Sequence, residues 1–337
     1  MRSKEHNLRY VVIISAILLV AVGAGILMLV KMASDTGSIF QVNGPRAYVA
    51  VIGKSNTSAF WESVSSGARA SAAEYNLDMT FEAPDNEEDF EAQNEMIRSA
   101  IAKGADAIVF SAIDYNGNAD AINEAIEAGI PVVIIDSDVN SDGVSCRIMT
   151  DNYAAGQMAG MQAIEDVEGE LVVGVVNYDV NSANGQQREQ GFCDAISSSG
   201  RVRSVYTINC LSTQESAYEG TVSLIGEHPD INMLAALNEL MSLGSGYAVR
   251  DMGLQDEVSI YAFDSNVVCV GMLETGEIDG LIVQNPYAMG YLGVENAYKL
   301  INGLPIDSER IDTTTTYVSS SNMYDIDIQR MIFMFGE

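Results

Sequence analysis

Residues 105–138 read ADAIVFSAIDYNGNADAINEAIEAGIPVVIIDSD. The stretch opens on a short apolar run, Ala105 to Phe110. It then passes through an amphipathic helical pattern at about 117–128 and closes on a second apolar run, Pro131 to Ile135. Gly129 stands where a helix C-cap is expected. Apolar runs without polar alternation belong to strands buried on both faces, and a helix between two of them is the crossover of a parallel sheet. Ser111 and Asp114 follow the first run, and Asp136, Ser137 and Asp138 follow the second.

The same alternation continues outward. Toward the N-terminus lie Ala47 to Gly53 (AYVAVIG) and Asp78 to Phe81, with helical patterns at about 60–75 and 87–103, the latter closed by Gly104. Val144 to Met149 completes a set of five strands. The plan then restarts, with strands at Leu171 to Val176, Val202 to Ile208, Met233 to Leu237, Ser259 to Phe263 and Leu281 to Val283. Helices are expected between them at about 184–199, 213–227, 239–253 and 266–275. A further helix, Tyr287 to Asn302, precedes Gly303-Leu304-Pro305 and an extended Thr/Ser-rich segment, Thr313 to Ser321. The fold class expected is α/β, two doubly wound parallel-sheet lobes built on one plan.

The chain has 337 residues, 47% of them hydrophobic, and 17 Lys+Arg against 47 Asp+Glu for a net charge of −30. That length suits about two domains with real cores. An acidic surface repels phosphate backbones and anionic headgroups, so a nucleic-acid partner is not expected. The two histidines, His6 and His228, leave little for a zinc site or a Ser-His-Asp relay. Asp136 and Asp264 could resemble the carboxylate pair of a glycosidase, but the chain carries no nucleophile elbow, P-loop or metal spacing. Neither catalysis nor a cofactor is expected.

Residues 10–30, YVVIISAILLVAVGAGILMLV, carry no charge. At about 1.5 Å per residue they span a bilayer core. Arg2, Lys4 and Arg9 precede them, so the positive-inside rule predicts a cytoplasmic stub at 1–9, a transmembrane signal anchor at 10–31, a polar tether at 32–45, and everything further on outside the cell membrane, extracellular or periplasmic. A cleaved secretory signal is the rival; its apolar region runs roughly 7–15 residues, whereas here apolar sequence continues past Val22-Gly23-Ala24 to Val30. A lipid anchor needs a cysteine directly after the apolar region, and the first is Cys146. Cys146, Cys193, Cys210 and Cys269 show no CxxC spacing. An exported domain permits a disulfide, for which Cys193 and Cys210 are the favoured pair; buried free thiols are the open alternative.

In doubly wound sheets ligands bind beyond the carboxyl ends of the strands. The residues there are Lys54 and Ser55, Ser111 and Asp114, Asp136 to Asp138, Asn177 and Asp179, Asn238 and Glu239, Asp264, and Gln284 with Asn285. Short acidic and amide side chains hydrogen-bond vicinal hydroxyls. Each could instead cap a helix, with Asn238, Asp264 and Gln284 drawn toward ligand contact by their clustering at three successive strand ends. Phe60 and Trp61 open the first helix, where an aromatic face suits the C–H side of a sugar ring or the core.

Seven segments then carry a resemblance: VIGKSNTSAFWESVSSGA (51–68), KGADAIVFSAID (103–114), GIPVVIIDSD (129–138), TDNYAAGQMAG (150–160), HPDINMLAALNELMSLG (228–244), YAFDSN (261–266) and GLIVQNPYAMG (280–290). In this order the chain from about 46 to 330 resembles the ribose-binding-protein branch of periplasmic sugar-binding proteins, the type I substrate-binding proteins of ABC transporters. The resemblance implies two lobes, 46–150 with 285–313 and 151–284 with 314–330, joined by crossings near Asp151, Gln284-Asn285 and Thr313 to Val318. It carries ring-stacking roles onto Phe60 and Trp61 and hydrogen-bonding roles onto Asp136, Asn238, Asp264 and Gln284. Lys54, Ser58, Ser111, Ser137 and Gln186 complete the expected ligand-binding set. Where ribose binders have two arginines, this chain reads Ser137 and Gln186, with Arg188 two residues on; Lys54 could supply a cation instead. Ser111 replaces an expected Asn, and Ser212 another position. The expected ligand is a small sugar or polyol other than ribose. The related lactose-repressor family carries a DNA-binding headpiece where this chain has its apolar segment.

Two functions follow from the resemblance. One is capture of a sugar-like solute by hinge closure and delivery to an ABC-type permease; the alternative is a sensor subunit signalling to a membrane histidine kinase.

Overall fold

The computed structural model describes Met28 and residues 45–332. The expected stub, the apolar segment apart from Met28, and the tether up to residue 44 lie outside the described residues. Among the described residues no helix is long and apolar enough to cross a membrane.

The apolar runs form strands because their side chains are buried on both sides. In the first half these are β1 (Tyr48–Ile52), β2 (Asp78–Glu82), β3 (Ala107–Phe110), β4 (Val132–Ile135) and β5 (Cys146–Met149). Val49 and Val51 pack into one apolar cluster while Ala50 and Ile52 pack into another, the period-two alternation of a sheet covered on both faces. Helices α1 (Ala59–Glu74), α2 (Phe90–Ala102) and α3 (Ala119–Glu127) supply the covers. Ser58 starts α1 and Asp89 starts α2, each accepting a backbone N–H of the first turn. Gly104 and Gly129, at φ +76° and +79°, let the chain turn back after α2 and α3.

The second half repeats the plan. α4 (Asn152–Asp166) leads to β6 (Leu171–Asn177), α5 (Ala183–Ser197), β7 (Val202–Asn209), α6 (Gln214–Glu227) and β8 (Met233–Ala236). α7 (Glu239–Met252), β9 (Ser259–Phe263), α8 (Val267–Thr275), β10 (Gly280–Val283) and α9 (Pro286–Ile301) follow. β7 alternates half-buried and exposed residues, as an edge strand should. The chain ends in two short strands, β11 (Arg310–Asp312) and β12 (Thr316–Ser319), and α10 (Ile326–Ile332).

The sheets run β2-β1-β3-β4-β5-β11 and β7-β6-β8-β9-β10-β12, parallel except where β12 pairs antiparallel with β10. Strand order reverses between β1 and β3, and again between β6 and β8, and it is outside such switch points that ligands bind. Register aligns Ile52 with Phe110 and Val176 with Ala236, so the residues that follow emerge side by side.

Three segments pass from one sheet to the other: between β5 and α4, between β10 and α9, and between β11 and β12. α9, which follows a strand of the second sheet, packs on α1 and on strands of the first. The extended segment expected over 313–321 is two pieces: Thr313 prolongs β11 along β5, and β12 joins the other sheet. The tail, weakly patterned in sequence, forms α10. All four cysteines are free thiols, which corrects the favoured Cys193–Cys210 pairing. Both pack as half-buried apolar groups against the second lobe's core, where burial pushes the Cys193 thiol up to about 11.

Candidate ligand-binding site

The carboxyl ends of the two sheets face each other across a cavity. From the first lobe come Lys54 after β1, Ser58, Phe60 and Trp61 at the start of α1, Glu87 before α2, and Asp136 after β4. From the second come Tyr178 after β6, Asn184 and Arg188 on α5, Asn238, Glu239 and Leu240 after β8, and Asp264 after β9. Gln284 lies on a crossing segment.

Lys54 is 2% exposed and pairs with Glu87 at 3.0 Å. Burial alone would lower its pKa, but the Glu87 carboxylate, helped by Tyr178 and Asp136, outweighs it and holds the amine charged. The same Glu87 accepts the Trp61 indole N–H at 2.9 Å, fixing the ring, and Phe60 meets Trp61 edge-on with centroids 5.3 Å apart.

Asp136 and Asp264 both sit in the left-handed backbone region, at φ +56° and +69°, a conformation costly for a side chain with a Cβ and concentrated at functional sites. The turn it makes aims each carboxylate into the cavity. Asp136 accepts from Ser111 Oγ at 3.1 Å and, across the lobes, from Asn184 Nδ2 at 3.2 Å. Asp264 accepts from Gln284 Nε2 at 2.6 Å and from the Glu239 backbone N–H at 3.0 Å. Burial raises both pKa values, that of Asp264 to about 6, with Arg188 pulling the other way. Burial also pushes the Tyr178 phenol, which donates to Asn184 Oδ1 at 2.7 Å, up to about 12.

Arg188 is held from behind. Its Nε donates to Asn152 Oδ1 at 2.9 Å, its Nη1 to the Leu237 carbonyl at 2.8 Å, and the guanidinium lies over the Phe263 ring at 4.7 Å. Its Nη2 is buried with no acceptor among the described residues. A buried guanidinium N–H is costly to leave unmade, and this one lies on the cavity wall, where a ligand oxygen would receive it.

The lobes are closed on one another. Besides Asp136 to Asn184, the Lys54 amine lies 3.5 Å from Ser182 Oγ, Ser212 N–H donates to Glu88 at 2.6 Å, and Tyr115 N–H to the Asn181 carbonyl at 3.1 Å. Gln284, through Thr150 Oγ1 at 2.7 Å, ties two crossing segments together.

Of the eleven residues expected from sequence, eight line the cavity: Lys54, Ser58, Phe60, Trp61, Asp136, Asn238, Asp264 and Gln284. Asn238 is also a helix cap, its Oδ1 accepting Met241 N–H at 2.8 Å while its Nδ2 turns to Ser212. Ser111 stands behind the wall and positions Asp136. Ser137 is buried, but its side chain does not line the cavity and finds no partner among the described residues, because successive residues leaving a strand point apart. Gln186 is exposed on α5. Arg188, two residues on and about 200° further round the helix, occupies the wall instead. Glu87, Tyr178 and Asn184 were not expected, and Glu239 was named at its strand end without a ligand role; Tyr178 stands between the strand-end residues Asn177 and Asp179, Asn184 lies on α5, and Glu87 comes from a loop with no periodic signal.

Comparison with known proteins agrees with this architecture. A D-ribose/D-allose-binding protein of Pseudomonas aeruginosa is 25% identical over 279 residues, covering 80% of this chain and 87% of that protein. A carbohydrate transporter solute-binding protein from Agrobacterium radiobacter, solved in complex with D-arabinose, superposes with a TM-score of 0.83 at 27% identity, covering 86% of this chain and all of that one. A sugar transporter structure from Clostridium phytofermentans is 33% identical, with a TM-score of 0.74 over 81% of this chain and 99% of its own. Residues 49–305 match the family model described as a periplasmic binding protein domain, and the chain belongs to that family of solute-binding proteins.

Proposed function

We propose that this protein captures a small neutral sugar or polyol between its lobes and delivers it to an ABC-type permease, held at the outer face of the membrane by residues 10–31. The observation that carries the reading is the Arg188 guanidinium, anchored on two sides with its free Nη2 on the wall of a cavity that Asp136 and Asp264 enter from opposite lobes. Donor and acceptors so arranged match a ring of hydroxyls, and Phe60 and Trp61 offer it an aromatic wall. Four carboxylates, Glu87, Asp136, Glu239 and Asp264, line the cavity with only two cations, Lys54 and Arg188, so an anionic sugar meets net repulsion. In this proposal 46–150 with 285–313 and 151–284 with 314–330 are the closing bodies, and Gln284 with Thr150 lies at the hinge. Relatives described as import binding proteins support transport over sensing.

Trp61 is the only tryptophan of the chain and lies in the site. Titration with neutral pentoses and hexoses should therefore change the intrinsic fluorescence saturably for at least one of them. A flat response across the series contradicts the reading.

A further inference from the structure

A second cavity adjoins the first. Phe60, Asp264 and Gln284 line both. The two differ in chemistry. Among the described residues six charged side chains face the first chamber, whereas Asp264, at the shared wall, is the only one facing the second. The rest of the second chamber is uncharged: Ala59, Pro286, Tyr287 and, from α10, Met331 give it apolar and aromatic surface, and Ser63, Ser265 and Asn285 its polar groups.

Building on the sugar-binding reading, we propose that the ligand is a glycoside. Its sugar occupies the charged chamber with a free hydroxyl donating to Asp264, and a less polar substituent, carried on a neighbouring oxygen, extends into the second. Hydroxyl-rich surface needs the hydrogen-bonding wall of the first chamber, while an aryl or alkyl group gains by leaving water for Tyr287, Pro286 and Met331. Asp264 is suited to the boundary: Gln284 and the Glu239 N–H occupy one lone pair on each oxygen, and the remaining ones accept from the sugar. Phe60 faces both parts of such a molecule.

The test compares neutral pentoses and hexoses with their methyl and phenyl glycosides, both anomers, by calorimetric titration of the full chain. At least one phenyl glycoside should bind ten-fold or more tighter than its parent sugar. Met331→Trp, which enlarges a side chain that lines the second chamber and not the first, should abolish that gain and leave the parent's affinity within about two-fold. Parent sugars that bind while every glycoside binds equally or worse would overturn the two-chamber ligand and leave the sugar-binding reading standing. Failure of parents and glycosides alike would overturn both. Should the variant not fold, the comparison of parent with glycoside on the native chain decides alone.

Discussion

The carboxylate of Glu239, in the second lobe, accepts a hydrogen bond from the backbone N–H of Phe60, in the first, at 3.1 Å. Its other oxygen receives Ala59 N–H at 3.4 Å and Asn266 Nδ2 at 2.9 Å. The first turn of a helix leaves N–H groups unpaired, and here two of those of α1 are satisfied from the opposite lobe, a pairing that exists only while the lobes are closed. Hydrogen bonds to charged groups contribute roughly 1.5–3 kcal/mol, so Glu239→Ala should weaken ligand binding about 10- to 100-fold. It should also increase the radius of gyration of the ligand-free chain in small-angle scattering. A profile and affinity equal to the native ones would remove Glu239 from closure.

Asp264 makes stability depend on pH in a direction opposite to a surface carboxylate. Its pKa in the folded protein, about 6, lies above the ordinary 3.8, because burial disfavours the charge. The folded state therefore holds that proton more tightly than the unfolded one. Its contribution is full below pH 4 and is lost as pH rises through 6, a change of up to ~3 kcal/mol. Measured against Asp264→Asn, which cannot titrate, the native chain should lose thermal stability between pH 4 and 7. A difference that stays constant over that range would contradict the burial argument.

Each lobe is locked by a pair of glycines at a helix crossing. A Cβ on Gly67 or Gly290 would land on the Tyr287 or Val64 carbonyl oxygen, and one on Gly156 or Gly191 on that of Arg188 or Tyr153. The first pair ties α9 to α1, and the second ties α4 to α5, so the helix after each of the first two crossing segments is fastened to a helix bearing that lobe's cavity residues. Gly156→Ala should cost about 1–3 kcal/mol through overpacking and weaken binding by displacing Arg188. Gly226→Ala, with open space around it, should leave stability unchanged or raise it by up to ~1 kcal/mol. Equal melting temperatures for the two variants would refute the lock.

Arg188→Lys keeps a charge but loses the planar fork that reaches Asn152, Leu237 and the cavity at once. Affinity should fall more than ten-fold while the melting temperature changes little, since the amine can still satisfy one acceptor. Unchanged affinity would place Arg188 outside the ligand's reach.

The fold was legible because a buried parallel sheet writes its strands as uninterrupted apolar runs, and because strand ends in such sheets converge on one crevice. That geometry alone brought Asp136, Asn238, Asp264 and Gln284 together. What it could not supply was phase and partnership. Arg188 and Gln186 differ by half a turn of helix, which spacing within a motif does not resolve. Asp136 and Ser137 leave the strand in opposite directions. Glu87 lies in a loop without periodicity, and Glu239 meets Phe60 across 179 positions of chain. The left-handed turns at Asp136 and Asp264 carry no residue signature such as glycine would give.

The most direct measurement is calorimetric titration of the 337-residue chain with neutral pentoses, hexoses and their glycosides, alongside Asp264→Ala. The account predicts one saturable 1:1 isotherm on the native chain that disappears in the variant while its melting temperature stays within a few degrees. Binding that survives Asp264→Ala, or no heat from any compound on the native chain, would contradict it.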